Sequence, residues 1–191
     1  MTFRIVSIWL AALLAMRTYA SLLPRVDRSE QTGLSASELQ SLANVLPPTS
    51  GTVQAIQFLR SDGFSIDRAA ILTEPRGGGW KILVFHLEKN GKFEPEWKSE
   101  TLGGSFAVSS SNAFQTRTVG TAEQVLQFSG CAAHNCPDVF SVMLYSPSKK
   151  AAFTATCIRG KLSYSPNVEL PDNRDYKDAL DEYVKQRRRE Q

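Results

Sequence analysis

Residues 139–158, VFSVMLYSPSKKAAFTATCI, decide the fold. The two ends of this stretch, residues 139–145 and 151–158, are strand-length runs rich in apolar and β-branched side chains. The Ser, Pro and Lys residues between them, at positions 146–149, are typical of a turn. Because strands joined by so short a connection pair antiparallel, the stretch predicts a β-hairpin.

Other strand-like segments precede this hairpin, and no long helical pattern separates them. They cover residues 68–73, 80–87, 93–101, 105–109, 114–119 and 123–128. Residues 52–60, TVQAIQFLR, are ambiguous, since their apolar positions fit one face of a helix while the run is short and partly β-branched. Strands at this spacing predict an antiparallel sheet of about five or more strands rather than a βαβ fold.

The connection between the segments at 80–87 and 93–101 contains Asn90-Gly91. This dipeptide is the strongest short-range signal for a two-residue hairpin. A type I′ turn requires positive φ at both central positions, which Asn and Gly tolerate best, so we predict that turn here.

Helices are predicted at the two ends of the domain. Ser37 can cap a short helix over residues 38–45, and Pro47-Pro48 prevents its continuation. Residues 173–189 are predicted to form a second helix, which would either dock on the sheet or extend from it as a charged helix. Its apolar stripe consists of Tyr176, Leu180, Tyr183 and Val184. The expected fold class is α+β, an antiparallel sheet with short N-terminal helices and a C-terminal helix.

The composition is that of one ordinary globular domain, with 191 residues of which 42% are hydrophobic. The apolar content is too high for a disordered chain. The 12 Gly are too few for a collagen-like repeat, and the 3 Cys are too few for a dense disulfide scaffold. The odd number of cysteines also leaves at least one of them outside any intramolecular disulfide.

The first twenty residues have the pattern of a secretory signal peptide. Arg4 supplies a positive start, residues 5–16 are apolar apart from Ser7, and Thr18-Tyr19-Ala20 provides the small residues of a cleavage site. The alternatives are a buried or amphipathic helix and an uncleaved anchor. However, a helix over the apolar residues 5–16 would be only about 18 Å long, whereas the hydrocarbon core of a bilayer is roughly 30 Å thick. We expect a periplasmic or secreted protein.

The domain boundaries follow from the signal peptide. We expect residues 1–20 to be removed, residues 21–34 to form a flexible arm, and residues 35–191 to form a single domain.

The formal net charge of +3 falls close to zero when Arg4 and Arg17 are removed. Charge therefore gives no indication of a nucleic-acid partner or of membrane association after cleavage, and we expect neither. The basic residues at 185–189 are either a polyanion contact or favourable cations at a helix C-terminus.

No catalytic or cofactor-binding motif is present. The sequence lacks a Gly-x-Ser-x-Gly elbow, a phosphate-binding loop, a His-Glu-x-x-His pair and a dinucleotide-binding fingerprint. His86, one of the two histidines, lies in an apolar run where a hydrogen-bonded histidine of a sheet is expected. We predict that the protein is not an enzyme and has no cofactor.

One segment differs from the rest of the chain, Cys131-Ala132-Ala133-His134-Asn135-Cys136, which lies between two predicted strands. Two cysteines this close in an exported protein are usually oxidised. The chain-entropy expression gives so small a ring about 2 kcal/mol, so a disulfide here acts mainly on the shape of the loop. A loop this small has few ways to bury its histidine, and we expect His134 to project.

Four interpretations of this loop are open at this point. A metal site would use the Cys-x-x-His-x-Cys spacing for zinc or copper, but it would need a fourth ligand and reduced thiols. A redox pair would need Cys-x-x-Cys spacing and a thioredoxin-like context. The loop can also be an incidental tied turn of a structural envelope protein. The fourth interpretation, which we favour, is a recognition loop.

The loop and the strands around it resemble the Ivy family, periplasmic inhibitors of vertebrate (c-type) lysozyme. That family has a protruding disulfide-closed loop of pattern Cys-Lys-Pro-His-Asp-Cys, followed by a hydrophobic strand, an aromatic-Ser turn and another strand. Cys131, His134 and Cys136 match the loop. The neighbouring matches are Gln124-Val125-Leu126, residues 139–145, Tyr145-Ser146 and Phe153-Thr154, so that the resemblance covers residues 123–163. Where the family has Lys-Pro and Asp, this chain has Ala132-Ala133 and Asn135.

The resemblance implies an inhibitor that inserts this loop into the active-site cleft of a c-type lysozyme. The inhibitory residues would be His134, Ala133, Asn135 and Ala132, held by a disulfide between Cys131 and Cys136, with no metal. Cys157 is unmatched, and it is either a buried free thiol or a competitor for one of the other cysteines. The alternative functions are a periplasmic metal- or ligand-binding domain using the same loop and a structural envelope protein. A homodimer is also left open.

Overall fold

The computed structural model describes residues 35–46, 52–59, 67–74, 81–100, 113–132 and 135–189. The expected signal peptide, residues 1–20, and the expected arm, residues 21–34, lie outside the described residues. So does the strand predicted at residues 105–109.

Two helices and nine strands make up the described part of the chain. The helices are α1 (Ala36–Val45) and α2 (Arg174–Arg189), and two short 3-10 helices, Pro166–Glu169 and Pro171–Asn173, precede α2. The strands are β1 (Thr52–Leu59), β2 (Arg68–Glu74), β3 (Lys81–Leu87), β4 (Phe93–Lys98), β5 (Ala113–Val119), β6 (Glu123–Cys131), β7 (Val139–Ser146), β8 (Ala151–Ile158) and β9 (Lys161–Tyr164).

The strands form two antiparallel meanders instead of one sheet. The first has the order β1-β2-β3-β4 and the second the order β5-β6-β7-β8-β9, so each strand pairs with its neighbours in sequence. The predicted hairpin at residues 139–158 is β7 and β8, with Val139 opposite Ile158 and Ser146 opposite Ala151. The ambiguous run at residues 52–60 is strand β1. The α+β class and the antiparallel pairing are confirmed.

The two sheets pack face to face, and each carries a helix on its outer face. Successive side chains of a strand point to opposite faces, so each central strand can contribute to two apolar clusters. One cluster joins the sheets and contains Ala70, Ile82, Val84, Leu126, Phe128, Met143 and Tyr145. A second joins α1 to the first sheet and contains Leu42, Ala69, Ile71, Leu83, Phe85 and Phe93. The resulting order of layers is α1, first sheet, second sheet and α2.

Helix α2 docks along the second sheet, which decides between the two alternatives for the C-terminal helix. Tyr176, Leu180 and Val184 are buried against strand residues that include Val142, Phe153 and Ala155. The ring of Tyr176 stacks on that of Phe153, with 3.9 Å between the centroids. Tyr183, which the sequence placed on the same stripe, is only half-buried at the edge of this cluster. No helix among the described residues is long and apolar enough to span a bilayer.

The cap of α1 corrects one prediction. The N-cap is Ser35 and not Ser37, and the helix begins two residues earlier than expected. The Ser35 hydroxyl accepts from the Glu38 N–H, while the Glu38 carboxylate accepts from the Ser35 N–H at 2.7 Å. This reciprocal capping box satisfies two backbone donors at once. Ser37 has Gln40 at the equivalent position, but the Gln40 side chain donates to Oδ1 of Asn44 at 3.1 Å instead.

The β3–β4 turn corrects another prediction. Gly91 has a φ of +79°, but Asn90 is not among the residues with positive φ, so the turn is not type I′. The Gly91 N–H donates to the Glu88 carbonyl at 2.9 Å, and the Asn90 side chain accepts from the Lys92 N–H. Gly91 therefore supplies the one left-handed position of a longer, three-residue hairpin connection. Asn90 is used for its side-chain acceptor instead of its tolerance of positive φ.

Candidate functional site

The loop with the two cysteines connects β6 to β7 at one end of the second sheet. Strand β6 continues to Cys131, beyond the predicted end at residue 128, so the first cysteine belongs to the sheet. Cys131 is 1% exposed, whereas Cys136 is half-buried and lies in the turn before β7. A disulfide joins the two residues, whose Cα atoms are 4.8 Å apart. The expected disulfide is confirmed, and it ties the loop to a buried strand end.

Backbone hydrogen bonds across the base of the loop add to the disulfide. The Ala132 N–H donates to the Val139 carbonyl at 2.9 Å, which extends the β6–β7 ladder by one residue. Within the loop, the Asn135 N–H donates to the Ala132 carbonyl at 3.1 Å, and the Val139 N–H donates to the Asn135 carbonyl at 2.9 Å. These bonds satisfy backbone groups of both ends of the loop and hold them against the sheet.

The structure places part of the predicted inhibitory loop. Asn135 is exposed, as are the following Pro137 and Asp138, and Ala132 is half-buried at the base. Ala133 and His134 lie outside the described residues. Two of the four predicted inhibitory residues are therefore located at the loop, and the position of His134 stays a prediction.

The end of α2 supports the same loop. The guanidinium of Arg187 donates from Nη2 to Sγ of Cys131 at 3.7 Å. Next to it, Arg188 donates from Nη2 to the carbonyl of Gly160, in the β8–β9 turn, at 3.3 Å. The basic end of α2 is thus attached to two strand ends. Sequence reasoning did not find this role for Arg187, because a contact between distant segments leaves no local pattern.

Cys157 is a buried free thiol, which decides between the two alternatives for this residue. It lies on β8 opposite Phe140 of β7, and Phe140 in turn lies opposite Cys131 of β6. An intervening strand therefore separates Cys157 from Cys131. Its 1% exposure and its apolar neighbours make it a core side chain.

The loop sulfurs are bonded to each other, so neither is a thiolate that could bind zinc or copper in this oxidised form. Among the residues that the structure describes, no group of three or more His, Cys, Asp or Glu side chains is placed to hold a metal ion. The metal-site interpretation of the loop finds no support in the described geometry.

His86 lies in the first sheet and is hydrogen-bonded, as expected. Its Nε2 is 2.8 Å from Oε1 of Glu88, and its Nδ1 is 3.7 Å from Oε2 of Glu96. Glu96 is also the acceptor for Arg68 Nε at 2.9 Å and for the Tyr145 hydroxyl at 2.9 Å. This cluster joins the two sheets through polar groups, and it accounts for His86 without a catalytic role.

The aromatic-Ser step, Tyr145-Ser146, lies at the end of β7 away from the disulfide loop. The ring of Tyr145 is buried between the sheets and stacks on Trp97 with 4.7 Å between the centroids. Ser146 is buried and donates to Glu123, which also accepts from Ser148 at 2.6 Å and from the Tyr176 hydroxyl. The step is therefore structural, since it joins the strand to the first sheet on one side and to α2 on the other.

Glu123 is the electrostatic centre of this second cluster. Burial acts to raise the pKa of its carboxyl group, but hydrogen bonds from Ser146, Ser148 and Tyr176 and the charge of Lys149 outweigh it. The net effect is a pKa below the ordinary value. Burial and the same hydrogen bond to Glu123 raise the pKa of Tyr176 to about 12. Glu123 is therefore ionised and Tyr176 neutral over the whole physiological range.

The family comparison covers the region that carries the loop. The family model described as inhibitor of vertebrate lysozyme (Ivy) matches residues 95–186. The matched region begins in β4 and ends in α2, so it contains the whole second sheet and the loop between Cys131 and Cys136. No curated protein and no solved structure matches the chain.

Proposed function

Residues 95–186 belong to the Ivy family, and on that premise we propose that the protein is an exported inhibitor of c-type lysozyme. The observation that carries the proposal is the disulfide-closed β6–β7 loop, which lies inside the family match and has exposed residues after its second cysteine. The protein is proposed to act by binding and not by catalysis, as one domain over residues 35–191 after removal of residues 1–20. Its place of action would be periplasmic or extracellular.

The proposed mechanism uses the chemistry of the lysozyme cleft. A c-type lysozyme works with two carboxyl groups, one with a raised pKa and one ionised. His134 would enter between them and form hydrogen bonds to both in place of the sugar. An imidazole has an unperturbed pKa of about 6.5, and nearby carboxylates favour its protonated form. His134 would therefore bind as a cation, and inhibition would be competitive with the polysaccharide.

The described part of the loop is consistent with a preorganised inhibitor. The disulfide and the backbone bonds from Ala132 and Asn135 fix both ends of the loop before binding. Ordering a flexible segment on binding costs conformational entropy, and a loop that is already closed avoids much of that cost. Cys131 is fully buried in the sheet, so the loop is held at a rigid strand end.

The differences between this loop and the family pattern determine which residues must supply the cation and the rigidity in the proposed mechanism. The family pattern supplies Lys and Pro where this chain has Ala132 and Ala133, and Asp where it has Asn135. Without the Lys, the cation that enters the cleft would have to be His134. Without the Pro, rigidity would have to come from the disulfide and the backbone bonds at the base of the loop. We therefore expect inhibition to depend on His134 and on an intact disulfide.

The test is inhibition of a panel of c-type lysozymes by the mature chain and its variants. His134→Ala and the double change Cys131→Ala, Cys136→Ala should each weaken inhibition at least about tenfold, the effect of losing a charge-assisted hydrogen bond or its preorganisation. The matched control is His86→Ala, because it removes the only other histidine and lies in the other sheet. If His134→Ala inhibits as well as the unaltered protein, the mechanism is wrong. If no lysozyme is inhibited, the proposed function is wrong.

A further inference from the structure

A polar cleft lies beside the disulfide loop, between strands β5 and β6, at the β5 edge of the second sheet, and the last turns of α2. Its volume of about 460 Å³ falls within the range of about 300–1,000 Å³ that is usual for small-molecule sites. Most such sites have predominantly apolar walls, whereas the walls here are formed largely by polar side chains. The principal ones are Gln115, Arg117, Gln127, Ser129, Glu182 and Arg187.

A buried amide positions the central cation of the cleft. Gln127 is 4% exposed, and its Oε1 accepts from Nη1 of Arg117 at 3.2 Å. Its Nε2 points to Oε1 of Gln115 at 3.5 Å, which fixes the orientation of the amide. Removing that guanidinium would leave the buried acceptor of Gln127 without this hydrogen bond, which is unfavourable. The chain thus holds Arg117 in one place at the floor of the cleft.

The partner of Arg117 on the open side is a carboxylate that can be displaced. Nη2 of Arg117 forms an ion pair with Oε2 of Glu182 on α2. The side chain of Arg117 is 21% exposed and that of Glu182 is 75% exposed. An ion pair with so exposed a member contributes little to stability, and its carboxylate has alternative positions in solvent. Arg117 is therefore fixed, while Glu182 is the movable member of the pair.

We propose that the cleft binds a small ligand with a carboxylate next to hydroxyl groups, such as a sugar acid, whose carboxylate replaces that of Glu182 on Arg117. A guanidinium pairs with a carboxylate through two parallel hydrogen bonds, which favours this exchange. Arg187, whose Nη2 donates to Sγ of Cys131, lines the same cleft and adds a second positive charge to its wall. The hydroxyl of Ser129 and the amide of Gln115 provide donors and acceptors for ligand hydroxyl groups. This site is separate from lysozyme inhibition, and the proposal does not depend on that function.

The experiment is a titration of the folded protein, followed by two-dimensional NMR of backbone amides, with three matched probes. D-glucuronate has both the carboxylate and the hydroxyl groups, D-glucose lacks the carboxylate, and acetate lacks the hydroxyl groups. Glucuronate should shift the amides of Ser129 and Gly130 and bind at least about tenfold more tightly than either of the others. The proposal is overturned if glucuronate produces no such shifts up to about 50 mM, or if acetate or glucose binds equally well.

Two substitutions should change glucuronate affinity in opposite directions. Arg117→Gln removes the anchoring cation and should weaken binding at least about tenfold. Glu182→Gln removes the competing carboxylate and should strengthen binding by about threefold or more, on an exposed position that the fold tolerates. A purely structural ion pair predicts no gain from Glu182→Gln. The matched control is Glu169→Gln, since Glu169 is also exposed but lies outside the cleft. If Glu182→Gln fails to tighten binding, or Glu169→Gln tightens it equally, the proposal is wrong.

Discussion

Arg187, in the last turn of α2, donates a hydrogen bond to the sulfur of Cys131 at the end of β6, 56 residues earlier in the chain. The contact connects the most charged part of the sequence to the disulfide that closes the β6–β7 loop. It also gives the basic end of α2 a structural function within the domain.

Removing the Arg187 side chain should loosen the loop without unfolding the domain. We expect Arg187→Met to keep the apolar part of the side chain and to make the Cys131–Cys136 disulfide more accessible to dithiothreitol. It should also weaken the proposed lysozyme inhibition about threefold to tenfold, the effect of losing one ordinary hydrogen bond of about 1 kcal/mol. Reduction rates and inhibition constants measure the two effects. Arg189→Met is the matched control, since Arg189 is exposed in the same turn. Equal behaviour of the two variants would show that Arg187 does not support the loop.

Glu123 should make the fold less stable in acid. Its folded-state pKa is lowered by net stabilisation of the carboxylate, so its contribution is fully present above the unfolded value of 4.5 and is lost as the pH falls through the folded pKa. Glu123→Gln should therefore lower the free energy of unfolding by about 1–2 kcal/mol at pH 7, because the acceptor of three hydrogen bonds loses its charge. Urea unfolding at pH 7 and pH 3 tests this expectation. A difference between the two proteins that is as large at pH 3 as at pH 7 would contradict it.

The docking of α2 depends on Leu180, which is fully buried against the second sheet. Leu180→Ala should lower the free energy of unfolding by about 2–5 kcal/mol, since it removes buried apolar surface and leaves a cavity. Leu170→Ala is the matched control, because Leu170 is 54% exposed and should change stability by less than about 0.5 kcal/mol. Chemical denaturation of both variants checks the contrast. Similar losses at the two positions would contradict the packing of α2.

The number of reactive thiols should differ between the native, the denatured and the denatured, reduced protein. The native chain should show no rapidly reacting thiol, because Cys157 is 1% exposed and the other cysteines are bonded. The denatured, non-reduced chain should show one thiol, and the denatured, reduced chain all 3. Reaction with an aromatic disulfide reagent measures each number. Three thiols without reduction would show that the loop is open in the isolated protein.

The local pattern of apolar and turn residues predicted most of the strands of the second sheet. The strand predicted at residues 151–158 has the observed bounds, and the one predicted at 139–145 differs by a single residue. These segments are long apolar runs bounded by turn residues, so neighbouring residues alone determine their extent. The Ser-x-x-Glu spacing from Ser35 to Glu38 was visible in the sequence, but Ser37 and Gln40 have an equivalent spacing, so the pattern alone did not choose between the two caps.

The candidate site was predicted in part. The spacing of Cys131 and Cys136, together with the predicted signal peptide, was enough to indicate the disulfide, because cysteines so close in sequence are usually oxidised in exported proteins. The supporting contact from Arg187 and the cleft that contains Arg117, Gln127 and Glu182 were not predicted. Each of these joins segments that only folding brings together, and no periodicity marks such residues.

The sequence by itself determined strands β2 to β8, the two end helices, the antiparallel pairing of successive strands and the closed loop, because each depends on residues close together in the chain. It left β1 ambiguous and did not predict the four-residue strand β9. The tertiary structure decided that the strands divide into two sheets, that these pack between α1 and α2, and that Cys157 is buried apart from the disulfide. It also decided which side chains surround the loop and the cleft. Those outcomes depend on which apolar faces meet, and face-to-face packing between distant segments is settled only when the whole core is assembled.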